Sequence, residues 1–230
     1  MLYVFLDFLT MHALSYLFYR ILNKYNIEKI FLGNLSFNLT RSVICGCLTY
    51  YSYKNLNNIY FDKCLTNEIF SNNLKSYHRN FLNYFIYDIF VMIYQVYKNI
   101  NKNIRMDLLF HHLLGIFVLH LLENNKMYNL SLLIGLSEGM SIVSGLKLIT
   151  NELNQQKFKN ILIYFRLGYL VLVRMLYLWP SLFLFYIDIT NNCDNFKEYK
   201  NTFMVLNLIA IIVYNETNWI NSGLKELKRL

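Results

Sequence analysis

The sequence is poor in the residues that interrupt chains, with one proline and eight glycines in 230 residues. No internal repeat and no long linker is visible, which favours one domain. The four cysteines, Cys45, Cys47, Cys64 and Cys193, form no Cys-x-x-Cys pair. Cys45 and Cys47 sit in an apolar block, where they read as small packing residues, so neither a disulfide nor a zinc framework is expected. Charged residues make up only 16% of the chain. The net charge of +8 does not indicate nucleic-acid binding, because no basic stripe survives once the apolar blocks are set aside.

What is abundant is apolar and aromatic: 56% hydrophobic and 17% aromatic residues, against an ordinary ~45–50% apolar content. These residues gather into blocks of about 20, the length a helix needs to cross a hydrocarbon core ~30 Å thick. The blocks run Leu2–Leu22, Phe31–Tyr51, Phe81–Tyr97, Asp107–Leu122, Met127–Ile149, Lys159–Ile187 and Thr202–Trp219. Barrel strands would alternate apolar and polar residues over ~10 positions, which these do not. The expectation is an all-α, polytopic transmembrane helical bundle of about seven spans, or six if the more polar second block lies shallow. The first block lacks a basic start and a small-residue cleavage site, so it reads as a retained anchor. The stretch Ser52–Asn80 reads as a loop or a short interfacial helix.

Basic residues fall mostly between the blocks and orient the chain. Arg20, Lys24, Lys29, Lys98, Lys102, Arg105, Lys147, Lys157, Lys159, Lys225, Lys228 and Arg229 share one side. Lys54, Lys63, Lys75, Arg79, Lys126, Lys197 and Lys200 form a smaller set on the other. This bias puts the carboxyl terminus in the cytoplasm. Pro180 is expected to kink the sixth span by removing a backbone donor, and Trp179 and Trp219 suit interface anchors. Gly135 and Gly139 have a GxxxG spacing that lets another helix approach, within the chain or in a homo- or hetero-oligomer through that face.

Ionisable groups within apolar blocks cost ~2.5–3.5 kcal/mol each on insertion scales, and so mark function. The leading group is His111-His112 with Asp107 one turn earlier, on the same face as His111. A carboxylate there can orient the imidazole and raise its basicity, or cap the helix. Arg41, Asp88, Glu138, Ser141 and Arg174 are further polar residues at membrane depth. They imply a cavity lined by several helices, or buried acid–arginine pairs. The five histidines, His12, His78, His111, His112 and His120, contain one box-like pair. Membrane hydroxylases and desaturases carry several such boxes, so no catalytic metal or other resident cofactor is expected. The last block has no lysine to hold a retinal.

Asn38-Leu-Thr-Arg41-Ser42, Tyr84-Phe-Ile-Tyr87-Asp88, Asp107-x-x-x-His111-His112 and Glu138-x-x-Ser141 together resemble the TLC-domain family. That family includes ceramide synthases, translocation-associated membrane proteins and small TLC-domain proteins. The likeness covers about residues 31–220, flanked by an N-terminal anchor and short loop over 1–30 and a basic tail over 221–230. It implies a bundle in the endoplasmic reticulum or a derived host membrane, with a lipid-binding interior. Where ceramide synthases have a second His-Asp, this chain has Glu138-Gly139, which brings it nearer the small TLC-domain proteins.

The expected partners are therefore membrane lipids: acyl-CoA as a co-substrate, with a sphingoid base or a phospholipid. On the enzymatic reading, the chain transfers an acyl group from acyl-CoA to an amine or hydroxyl. His111 is then the general base, oriented by Asp107. His112 or Arg41 steadies the thioester oxyanion, a contribution of ~3 kcal/mol per donor. On the other reading the same residues hold a headgroup without chemistry, in a lipid sensor or a regulator of membrane composition. A transporter is the third.

Overall fold

In the computed structural model, residues 2–25, 29–98, 100, 105–152 and 155–228 are described. Lys102 and Arg229 of the basic set lie outside them. All regular structure among the described residues is helical: α1 (Leu2–Leu22), α2 (Lys29–Phe61), α3 (Glu68–Tyr97), α4 (Met106–Asn124), α5 (Tyr128–Ser137), α6 (Met140–Glu152), α7 (Gln156–Gly168), a π-helical stretch Tyr169–Leu178, α8 (Trp179–Asn192) and α9 (Thr202–Leu227). Short 3-10 turns follow α1 and α8.

Among the described residues three helical runs are long and apolar enough to cross a membrane, Met106–Asn124, Tyr128–Asn151 and Gln156–Asn192. Helices α1, α2, α3 and α9 fall on the remaining expected spans. The faces are those of a helix solvated by apolar surroundings. On α4, Met106, Phe110, Leu113 and Phe117 recur every three or four residues and point outward, whereas His112 and Leu119 are buried. The core joins Leu74, Phe81 and Phe85 of α3 to Leu132 and Leu133 of α5 and to Leu182 and Phe185 of α8.

The stretch Ser52–Asn80 is not a loop. It consists of the end of α2 and the start of α3, joined by a turn over residues 62–67. Leu74, Tyr77, His78 and Phe81 are buried at helical spacing, a periodicity hidden in the sequence among Asn, Lys and Ser. The Asn67 side chain caps α3 by accepting from the Phe70 amide. Asp62 accepts from the Thr66 and Asn67 amides and the Thr66 hydroxyl. Partial burial pushes the Asp62 carboxyl up, but these donors outweigh it and hold the group below its ordinary range.

Cys64 in that turn is joined to Cys193 at the end of α8 by a disulfide, contrary to expectation. The two are 129 residues apart in sequence, so spacing carried no sign of it. Neighbouring contacts gather at the same end: Lys63 pairs with Asp188 at 2.8 Å, and the Asn129 side chain donates to the Lys63 carbonyl.

Two irregularities shape the interior. The fifth expected span breaks between α5 and α6 at Glu138-Gly139. The carbonyls released there are taken by neighbours: Gly135 accepts from Thr49 and Leu136 from the Tyr169 hydroxyl. A Cβ on Gly135 would run into the Tyr77 hydroxyl and Ser52, and one on Gly139 into the Tyr169 ring. Of the approaches left open for the glycine face, a helix of the same chain is the one seen at these two positions. The sixth span is continuous, and where a kink was expected at Pro180 the helix shows wider winding. The Trp179 amide bonds back five residues to the Arg174 carbonyl, so the π-helical stretch delivers the chain to a proline near the start of α8.

The candidate lipid chamber and its histidine pair

Two cavities meet inside the bundle. The larger holds about 620 Å³ and is lined by Arg41, His111, His112, Glu138, Ser141 and Arg174, among others. The smaller, about 100 Å³, is walled by Leu114, Val118, Ile134, Leu182, Leu208 and Ile212. His111, Ser137 and Glu138 line both. The polar lining residues arrive from α2, α4, the α5–α6 break, α6 and the π-helical stretch, whereas Asp88 and Asp107 do not line either cavity.

Their pairing differs from the expected one. His111 Nε2 lies 3.5 Å from a Glu138 oxygen, not on Asp107. Asp107 turns to Arg105 at 2.6 Å and accepts from the Trp219 indole N–H at 3.2 Å. Asp107 and His111 share a helix face, but Asp107 stands in the exposed first turn, where Arg105 is the nearer cation. Glu138 reaches His111 because the helix break at Gly139 presents its side chain, 5% exposed, to the chamber. Trp219 packs edge-on against His111 with centroids 5.1 Å apart, so Asp107 touches the histidine's neighbour. Trp219 is accordingly buried and is no interface anchor.

His112 is the more enclosed of the pair. Its Nε2 is 3.4 Å from Asp88, and Phe85 and Tyr84 pack on its ring. Asp88 also takes a forked bond from Arg41, Nε and Nη2 at 2.9 and 2.8 Å. Arg41 Nη1 donates to Asn38. Arg41 is thus held by Asp88 and Asn38, which works against the oxyanion role suggested for it.

Arg174 pairs at 2.6 Å with Glu216 of α9, both nearly fully buried, and its guanidinium lies over the Trp219 ring at 5.3 Å. Sequence reading passed over Glu216, although an acid inside the apolar run Thr202–Trp219 was a signal of the same kind as Glu138. Tyr84 and Cys45 add a further layer: the Cys45 thiol lies 3.1 Å from the Tyr84 hydroxyl and 3.7 Å from Glu138. Ser141 contributes its backbone, whose carbonyl accepts from Ser42.

Around the two cavities several buried polar atoms have no hydrogen-bond partner among the described residues: His112 Nδ1, Arg166 Nε, Arg174 Nε and Glu216 Oε2. Such atoms are costly away from water or a ligand. Among the described residues no group of three or more His, Cys, Asp or Glu is placed to hold a metal ion. No family profile, curated protein or solved structure matches the chain.

Proposed function

We propose that the chain is a multi-pass membrane protein of lipid metabolism, of the TLC-domain kind over residues 31–220, that binds an acyl lipid across its two cavities and transfers the acyl group. The observation carrying this reading is that His111 and Glu138 stand where a polar chamber of about 620 Å³ meets an apolar pocket. An acyl chain in the apolar pocket presents its carbonyl to His111, and the polar remainder of the ligand fills the chamber.

In the proposed reaction the donor is acyl-CoA and the acceptor an amine or hydroxyl, as on a sphingoid base. The acceptor's lone pair attacks the thioester carbonyl carbon while His111 takes its proton. The carbon–sulfur bond then breaks, and the proton passes from His111 to the departing thiolate. Glu138 orients the ring and balances the imidazolium charge, the part sequence reading had given to Asp107. His112, backed by Asp88, holds the floor of the chamber.

The orientation follows two independent lines. Basic residues favour the chamber end and the carboxyl terminus in the cytoplasm, and the Cys64–Cys193 disulfide lies at the opposite end, as suits an oxidising lumen. Seven spans in the endoplasmic reticulum or a membrane derived from it fit both.

A second reading, a lipid sensor without chemistry, draws on the internal pairing of Asp88 with Arg41 and of Glu216 with Arg174. It leaves His111 as the discriminating residue. Lipid profiles of cells lacking ceramide synthase, expressing the chain or its His111→Ala/His112→Ala form, separate the two. A new acyl-lipid series lost in the double variant supports transfer. Remodelled phospholipids that persist in it support the sensor and overturn the transfer reading.

A further inference from the structure

Away from the apolar pocket the chamber turns basic. Lys147 of α6 and Arg166 of α7 converge there on one carboxylate, Glu226 of α9. Lys147 Nζ lies 2.7 and 2.6 Å from the two Glu226 oxygens, and Arg166 Nη1 lies 3.7 Å from one of them. All three line the chamber. Glu226 falls in the stretch read as a basic tail and stands in the last turn of α9.

The two cations are enclosed while their partner is not. Their side chains are 18% and 14% exposed, against 35% for Glu226. Arg166 Nε is buried with no hydrogen-bond partner among the described residues, so one arm of its guanidinium fork is unanswered there. Lys159 lines the same end. A lysine beside an arginine with an open N–H, facing a single carboxylate, matches the charge and acceptor pattern of a phosphate better than that of a second carboxylate.

We propose that Lys147 and Arg166 form a phosphate subsite at the mouth of the chamber, held in this structure by Glu226, whose carboxylate yields when a phosphate ester enters. Glu226 is suited to yielding, because its side chain is the more exposed partner and its ion pair is partly screened by solvent. A phosphate brings up to about two negative charges where the carboxylate brings one. The inference rests on the acyl-lipid reading for the rest of the ligand: phosphate at the mouth, acyl carbonyl at His111, chain in the apolar pocket. The shared chemistry is a phosphate ester bearing an acyl chain, whose source is either a coenzyme A thioester or a phospholipid headgroup.

The test uses the full chain in phosphatidylcholine nanodiscs, following Trp fluorescence on titration with pyrophosphate alone, oleoyl-CoA, dioleoyl phosphatidic acid and the phosphate-free methyl oleate. Glu226→Gln removes the competing charge and should tighten pyrophosphate and at least one phosphate-bearing lipid by about threefold, leaving methyl oleate unchanged. Lys147→Gln/Arg166→Gln should weaken the same probes. Which of oleoyl-CoA and phosphatidic acid responds names the source. Glu226→Gln is a mild change at a helix end, so it decides the matter if the double variant fails to fold. Unchanged or weaker phosphate binding in Glu226→Gln, with methyl oleate still bound, overturns the subsite and spares the acyl-lipid reading. Tighter pyrophosphate binding with no acyl probe bound at all does the reverse.

Discussion

His111 and Glu138 face each other at 3.5 Å across the junction of the two cavities, although they belong to different helices and Asp107 is the closer acid in sequence. A carboxylate that orients an imidazole contributes to rate only through that imidazole. His111→Ala should therefore remove acyl transfer by about 10²- to 10⁴-fold. Glu138→Gln should cost less, and Asp107→Asn least, because Asp107 reaches His111 only through Trp219. Initial rates with a fluorescent acyl-CoA in membranes check the order. A larger loss in Asp107→Asn than in Glu138→Gln would return the orienting role to Asp107.

Arg41 and Asp88 form the forked pair beneath His112, with Asp88 3% exposed. Removing one member leaves the other charge buried, a change that costs about 3 kcal/mol or more. Asp88→Asn should lower the unfolding temperature in detergent markedly. Arg41→Met/Asp88→Leu, which removes both charges, should recover much of the loss. Equal destabilisation in the single and double variants would show that the pair's charge balance is not what holds this region.

How far these features were legible in the sequence depends on their range. The apolar blocks gave the helical runs, because a 20-residue apolar stretch is a local property. Arg41, Asp88, His111, His112, Glu138 and Arg174 stood out because each interrupts such a block. Which acid meets which base was not legible. It depends on the break at Gly139, filled by side chains of other helices, and on how the wide winding before Pro180 turns Arg174. Glu226 escaped for another reason: at a helix end a glutamate is ordinary, and only its meeting with Lys147 and Arg166 gives it meaning. The disulfide joins residues whose proximity is set by how α2 and α8 pack.

Glycines divide by what surrounds them. Gly135 lies against the Tyr77 hydroxyl and Ser52, whereas nothing stands within 4 Å of a Cβ at Gly168. Gly135→Ala should destabilise by about 1–3 kcal/mol as the Ser52–Tyr77 hydrogen bond at 2.8 Å is pushed apart. Gly168→Ala, inside a helix, should be neutral or stabilise by up to ~1 kcal/mol. Thermal unfolding of the two variants in the same detergent distinguishes them, and a stable Gly135→Ala protein would mean that α2 and α3 move apart readily there.

The disulfide gives the most direct measurement of arrangement. Cys64 and Cys193 are joined, Cys45 is free and buried, and Cys47 is free and exposed. A protease site inserted between residues 62 and 67 on the carboxyl side of Cys64 should cut the chain into two pieces that stay together without reductant and separate with it. In the uncut, oxidised protein an apolar, membrane-permeant maleimide should label Cys47 before the buried Cys45, and that first label should be lost in Cys47→Ser. Reduction should lower stability by up to about 5 kcal/mol, the chain-entropy scale for closing a loop of this length. In sealed membranes, the inserted site should be cleaved only from the lumenal side and a tag after Leu230 only from the cytoplasmic side. Cleavage of both from one side would require an even number of crossings between Cys64 and the carboxyl terminus, contrary to the α3, α4, α5–α6, α7–α8 and α9 order.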